Sequence, residues 1–351
     1  MSRRTTIEDV ARHAGVGKVT VSYVLNGRSR ANRISEATEA KVLAAAEELK
    51  YRPNALARGL ATRRTDTIAV VFQSGTYFTT WSGFTSEVMR GVALATVEGN
   101  YDLMLHTKQV TGADEEAIAL TDGRVDGVLI LRDENDPTLL RLIESGFPCV
   151  QFFTRNEGLE VPWVDCDNVE GGRIATQHLL DLGHKRIAMV HGSKRSNSSN
   201  DRRIGYRNCL TANGIEPRDA WSIERTDLSA DPGPVVELFT GRDRPTALFV
   251  WSDDIALTIL HALRAKKISV PDDVSIVGFD SSVAAINAVP ALTSVCQPVQ
   301  AMAAAATRML IKLIRGEKIP TQDILFQPIL DVRESTGRSS DSVHSTQGLE
   351  A

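Results

Sequence analysis

From Thr67 onward the chain alternates short apolar, β-rich runs with stretches of helical periodicity, and few folds accept that alternation. The strand-like runs cover 67–72, 101–105, 127–131 and 149–153, with helical stretches at about 84–97, 114–122 and 136–145 between them. After Val164-Asp165-Cys166-Asp167-Asn168 the pattern restarts, with helices at 168–181, 199–213 and 253–265 and strands at 186–191, 246–250 and 275–279. Two successive strand–helix series predict an α/β body of two lobes, each a parallel sheet covered by helices.

The first 66 residues follow another rule. Thr6 with Asp9 three residues on is an N-cap signal, and Ile7, Val10, Ala11 and Ala14 then share one helical face. Gly15 suits the end of that helix. A second helix from about Gly17 to Leu25 turns Val21, Val24 and Leu25 inward and Lys18, Val19, Thr20, Ser22 and Tyr23 outward, before Asn26-Gly27 breaks it. A third begins near Ser35 and carries Val42, Leu43, Ala46 and Leu49 as its apolar stripe. Two short helices joined by a glycine-containing turn suggest an all-α helix-turn-helix, whose second helix enters the major groove. A mini-bundle with no nucleic-acid role would show the same periodicity. Charge separates the two readings. Residues 1–64 hold 13 of the 40 Lys and Arg and 6 of the 44 Asp and Glu, so the head carries +7 and the remainder −11. A basic head on an acidic body points to a polyanion met by the head alone.

Between head and body, Tyr51-Arg52-Pro53-Asn54-Ala55-Leu56-Ala57-Arg58-Gly59-Leu60-Ala61 reads as an extended approach and a short helix, followed by a polar linker to Asp66. Such a helix is marginal alone in water, and Gly59 weakens it further, so it is expected to form when two copies pack on DNA.

The runs TIEDVARHAGVGKVTVSYVLNG and ISEATEAKVLAAAEELKYRPNALARGLA closely resemble the head of the lac-repressor (LacI/GalR) family of bacterial regulators, and the resemblance continues to about Arg338. The resemblance implies base reading by Lys18, Val19 and Tyr23. It implies phosphate or backbone contacts by Thr6, Thr20, Ser22, Asn26 and Asn54, with Ala57 and Arg58 also on the DNA. Leu60 matches the leucine that wedges into the minor groove at the centre of a palindromic site, where an unstacked step lets more protein touch the duplex. Val19 has no hydrogen bond to offer, so it would read a thymine methyl or shape. Glu39 stands where many relatives are basic, and Gly59 where a small polar residue is commoner.

For the body, the resemblance implies a periplasmic-binding-protein-like fold with both lobes discontinuous in sequence. The expected organisation is a head over 1–50, a hinge over 51–66, and a body over 67–339. Lobe 1 would span about 67–165 and 298–327, lobe 2 about 166–297 and 328–339, with a polar tail at 340–351. Ligands of such sheets sit beyond the carboxyl ends of the strands, which places an effector between the lobes. Asp167, Arg202 and Asp280 match the family's ligand-contacting positions. Carboxylates and a guanidinium take paired hydroxyls in bidentate fashion, as a sugar or sugar derivative requires. Phe84, Thr85, Phe153 and Trp251 are candidate walls, and Trp81, in a short insertion at 76–81, a candidate cap. Ser252 stands where relatives often carry asparagine. Read without the family, an Asp at a strand end is a turn or cap residue, and the aromatics fit core or surface equally well. A nucleoside or purine is the alternative effector.

Other classes fit less well. There is no P-loop, GxGxxG, HExxH or GxSxG, so neither an enzyme nor a cofactor is indicated. Asp253-Asp254 reads as helix capping rather than a metal site. The four scattered cysteines, Cys149, Cys166, Cys209 and Cys296, make no CxxC pair and read as buried thiols. No apolar run approaches a membrane span and no signal peptide is evident, which suggests a cytoplasmic protein. A transport-type binding protein would share the body but lack the basic head. The tail after Arg338 has no leucine heptads, so a homodimer rather than a coiled-coil tetramer is expected.

Overall fold

The computed structural model describes residues 5–52, 59, 64–73, 83–108, 110–133, 135–156, 158–226, 228–319 and 323–339. The chain divides into two units, Met1–Thr65 and Asp66–Ala351.

The first unit holds α1 (Ile7–Ala14), α2 (Lys18–Leu25) and α3 (Glu36–Glu48). Thr6 and Asp9 form a reciprocal capping box. The Asp9 amide donates to Thr6 Oγ1 at 3.3 Å, and the Thr6 amide to Asp9 Oδ2 at 2.9 Å. Gly15 ends α1 at φ 65°, a conformation that a side chain would oppose. Val10, Val21, Val24, Val42, Ala45 and Ala46 make a small core that Val16, Leu25, Leu49 and Tyr51 close. Leu43, expected in the apolar stripe, is exposed instead. The inward face of α3 runs through Val42, Ala45 and Ala46, and a neighbour of Val42 lies about 100° off it.

The second unit contains two six-stranded sheets. Lobe 1 is built on β1 (Thr67–Val71), β2 (Asp102–Leu105), β3 (Gly127–Ile130), β4 (Cys149–Phe152), β5 (Trp163–Cys166) and β11 (Asp323–Phe326), in the order β11-β5-β4-β3-β1-β2. Lobe 2 is built on β6 (Ile187–His191), β7 (Ser222–Glu224), β8 (Ala247–Val250), β9 (Ser275–Phe279), β10 (Thr293–Cys296) and β12 (Ile329–Asp331), in the order β12-β10-β9-β8-β6-β7. All paired neighbours are parallel except β12, which runs antiparallel to β10. The chain therefore passes between the sheets three times, after β5, after β10 and between β11 and β12.

Helices α4 (Gly83–Gly99), α5 (Ala113–Leu120), α6 (Pro137–Glu144) and α12 (Val299–Arg315) belong to lobe 1. One face of its sheet buries Ile68, Val70, Leu129, Val150, Phe152 and Val164 with Val88, Val92, Met302, Ala303 and Leu310 of α4 and α12. The other face buries Val71, Val128 and Ile130 with Leu120, Leu139 and Leu142. Each such side chain contributes about 1.5–3 kcal/mol by leaving water. Lobe 2 carries α7 (Asn168–Asp181), α8 (Asn197–Ala212), α9 (Gly233–Glu237), α10 (Asp253–Ala265) and α11 (Val283–Ile286). Cys149, Cys166, Cys209 and Cys296 are free thiols. Among the described residues no helix is long and apolar enough to cross a membrane.

Candidate DNA-reading surface and effector cleft

On the head, Lys18 and Val19 lie on the exposed side of α2, and Val19 keeps 62% of its surface in water. An apolar side chain this exposed on a helix whose opposite side is core gains little from folding and is free to meet a base methyl. Thr20, Ser22 and Tyr23 are half-buried, and Asn26 follows the helix with its Nδ2 donating to the Ser22 carbonyl at 2.8 Å. Gly17 provides no side-chain cap, so the first-turn amides of α2 keep donors suited to a phosphate. Lys18 Nζ meets Glu8 Oε1 at 2.9 Å, and this contact holds the Glu8 carboxyl below its usual range. Both groups are well exposed, so water and salt screen the pair and Lys18 exchanges it readily for a base edge. Thr6 spends its hydroxyl on the capping box. Asn54, Ala57, Arg58 and Leu60 lie outside the described residues, as does Trp81.

In the body, the carboxyl ends of the strands bring residues of both lobes to one cleft. Phe84 in the first turn of α4 and Phe153 just after β4 meet edge to face, centroids 4.9 Å apart, on the lobe 1 side. On the lobe 2 side Arg202 is only 5% exposed, with Cζ 3.4 Å from the centroid of the Phe279 ring. Its Nε donates to Asn168 Oδ1 at 2.9 Å and its Nη1 to the Trp251 carbonyl at 2.5 Å. The guanidinium is thus pinned in one orientation before any ligand arrives.

Asp280 stands at the end of β9 with φ 115°, and Ser281 follows at φ 52°. Non-glycine residues hold such angles only where their surroundings force them. Here Gln297 Nε2 donates to Asp280 Oδ1 at 2.6 Å, Ser294 Oγ accepts from the Ser281 amide at 3.0 Å, and Ser281 Oγ donates to Asp331 Oδ2 at 2.5 Å. Asp253 completes the brace: its carboxylate accepts from Ser294 Oγ at 2.6 Å and from the Ser282 amide at 2.7 Å. Burial pushes Asp280 well above the usual carboxylate range, with Arg202 opposing the shift. Burial likewise raises Asp253 to about 6. Helix capping, expected of Asp253, falls instead to Ser252, whose Oγ accepts from the Ile255 amide at 3.4 Å.

Other expected contacts are already occupied. Asp167 caps α7 by accepting from the Glu170 amide at 2.9 Å. Thr85 is 1% exposed, so Phe84 alone of that pair can meet a ligand. Trp251 is half-buried, and its Nε1 donates to the Arg225 carbonyl at 2.9 Å. Phe84, Asp280 and Gln297 also line a groove of about 860 Å³ that runs out along α4 and α12 to Arg308, whereas Arg202, Phe153 and Trp251 do not. Sequence reasoning missed Asn168, Gln297 and Asp253 as supports. Gln297 was visible only as the place where the chain crosses between lobes. Among the described residues no cluster of His, Cys, Asp and Glu could hold a metal ion.

A pinned guanidinium, a strained carboxylate and an aromatic pair suit hydroxyl groups on a compact ring. A cationic helix-turn-helix head and a two-lobed binding body on one chain define a ligand-responsive DNA-binding regulator. Residues 6–54 match the family described as bacterial regulatory proteins, lacI family, and residues 176–336 the periplasmic binding protein-like domain. The HTH-type transcriptional regulator CelR of Thermobifida fusca is 38% identical over 341 residues, covering 95% of this chain and 98% of that one. A solved CelR–cellobiose complex superposes with a TM-score of 0.72 at 35% identity, over 95% of this chain and 100% of that one. The lac repressor dimer bound to operator and the anti-inducer ONPF superposes at 0.82 over 95% of this chain and 100% of that one, and at 24% identity shows the fold. The chain belongs to the lacI family of bacterial transcriptional regulators.

Proposed function

We propose that this chain is a cytoplasmic repressor that grips a palindromic double-stranded operator as a homodimer and responds to a sugar or sugar derivative bound between its lobes. The observation that carries the ligand half is Asp280, held at φ 115° in the same cleft as the pinned Arg202. The cellobiose in the CelR complex supports the ligand class. On this reading Asp280 and Arg202 take sugar hydroxyls, Phe84, Phe153 and Trp251 flank the ring, and Asp167 and Ser252 shape the floor through their caps. The chemistry is binding rather than catalysis and calls for no cofactor. Residues 1–50 act as the reading head and 51–66 as the hinge, with Asn54, Ala57 and Arg58 on the backbone and Leu60 as the wedge. Leu94, Val97, Leu105 and Ile118 leave apolar surface exposed on lobe 1, which pairing of two bodies would cover. Effector binding then shifts the dimer between operator-competent and incompetent states.

The test pairs two measurements on the full chain. Cellobiose should raise the melting temperature progressively with concentration while adenosine does not, because a ligand of the native state stabilises by mass action. A rise with adenosine alone would transfer the pocket to nucleosides. Retention on operator-containing duplex should fall steeply with salt, several units of log affinity per log salt, as multiple phosphate contacts require. Equal affinity for palindromic and random duplex would end the DNA-binding assignment.

Lys18→Ala and Tyr23→Ala are expected to alter which sequence is bound and not only how tightly. Losing a base contact removes about 1–3 kcal/mol of discrimination, roughly 5- to 150-fold at that position. Selection from randomised duplex reads this directly, and an unchanged consensus with uniformly weaker binding would demote either residue to a phosphate contact.

A further inference from the structure

The first turns of α8 hold lobe 1 as well as the effector site. Asn197 Nδ2 donates to the Arg155 carbonyl at 2.5 Å, and Ser198 Oγ to the Phe153 carbonyl at 3.0 Å. Arg155 itself forks. Its Nη2 pairs with Asp201 Oδ2 in α8 at 2.7 Å, and its Nη1 with Asp165 Oδ2 at 3.1 Å. Asp165 lies near the end of β5, just before the first crossing, and is 1% exposed. Its Oδ1 accepts from the Cys166 amide at 2.8 Å and from Asn168 Nδ2 at 3.3 Å. Asn168 Oδ1 in turn accepts from Arg202 Nε at 2.9 Å. Since Asp201 and Arg202 are neighbours in α8, the links close into a ring: Arg155, Asp165, Asn168, Arg202, Asp201 and back to Arg155.

We propose that Arg155 is a positioning residue that latches lobe 1 to the helix carrying Arg202, so that grasping the effector and closing the lobes are one event. The proposal rests on Arg202 as an effector contact. The Arg155–Asp201 pair spans the two lobes with side chains only 19% and 14% exposed, so parting it leaves poorly solvated charge, including the buried Asp165. The same ring that orients the guanidinium toward the cleft therefore favours the closed arrangement. Phe153, whose ring meets Phe84, sits two residues before Arg155 at φ 59°, so tension on Arg155 also moves an aromatic wall of the cleft. Its effect on DNA passes through lobe closure.

Hydrogen exchange on the full chain tests it in Arg155→Met, Asp201→Asn and the double variant. Without ligand, each single variant is expected to exchange about tenfold faster in two peptides at once, one over 149–156 in lobe 1 and one over 197–206 in lobe 2. The double variant is expected to add nothing further, as two ends of one interaction do. Acceleration confined to each variant's own peptide, or full additivity, would overturn the latch. Because these arms need no ligand, they stand apart from the effector assignment. A second arm adds cellobiose. In the wild type it should slow both peptides, and in Arg155→Met its affinity should fall about tenfold. If cellobiose leaves the wild type unchanged, the sugar assignment fails and the ligand-free exchange still decides the latch.

Discussion

Arg202→Met is expected to reduce effector affinity by about 100-fold or more, leaving a folded protein that holds operator but no longer responds. Removing one member of a buried, hydrogen-bonded charged set costs about 2–5 kcal/mol of binding, and 2.8 kcal/mol is already 100-fold. The loss has two parts. The donors that meet hydroxyls disappear, and the charge that opposes burial of Asp280 goes with them. Without it the Asp280 carboxyl rises further above its usual range. This gives a pH signature. A carboxyl whose pKa is raised in the fold adds stability below its unfolded value and loses it as pH rises through the folded value. The melting temperature of Arg202→Met should therefore fall away from wild type as pH rises above the ordinary carboxylate range. Asp280→Asn is the companion. It keeps the shape of the β9 end and removes the charge, so it should lose the ligand response without that alkaline loss. Titration calorimetry and melting curves across pH measure both, and an intact response in either variant would move the effector elsewhere.

The fold was legible where an element's own residues determine it. Helix α7 starts at Asn168 because Asp167 caps it, and β9 ends at Phe279 because an apolar run meets an acid there; both boundaries stand in the sequence. The segment 214–245 was not legible. Its three-residue strand β7, the single turn Asp219–Trp221 and the short α9 are too brief for any period to show. Nor was β11, which pairs with β5 across more than 150 residues, a contact that no local pattern encodes. The site divides the same way. The match to the family's ligand-contacting positions singled out Asp280 and Arg202, whereas Asn168, Gln297 and Arg155 matter for what the crossings bring near them. Asp167 and Ser252 show the ambiguity at its plainest, because oxygens that can take a sugar hydroxyl also cap helices, and here both cap. In the head, Thr6 was readable as a cap, while the Glu8–Lys18 pair across two helices was not.

Gly205→Ala is expected to destabilise the body by about 3 kcal/mol, at the upper end of what overpacking costs. Alanine in a helix normally stabilises relative to glycine by about 1 kcal/mol, so the sign rests on the contact. A Cβ at Gly205 would lie 2.0 Å from the Val169 carbonyl oxygen, and one at Gly172 2.1 Å from that of Arg202. Backbone faces backbone at both points, and no side chain can swing aside. Helices α7 and α8 must separate by an ångström or more, and the opening falls beside a hydrogen bond that joins them at the cleft, Arg202 Nε to Asn168 Oδ1. Stability and effector affinity should therefore fall together, with a melting temperature lower by about 6–12 °C at 2–4 °C per kcal/mol. Gly172→Ala should behave alike. Gly241→Ala, where an added Cβ meets nothing within 4 Å, should stay within about 0.5 kcal/mol of wild type. Scanning calorimetry on the three variants decides the matter. A Gly205→Ala body as stable as Gly241→Ala would mean that α7 and α8 are free to part, and that their close approach does not fix the guanidinium in the cleft.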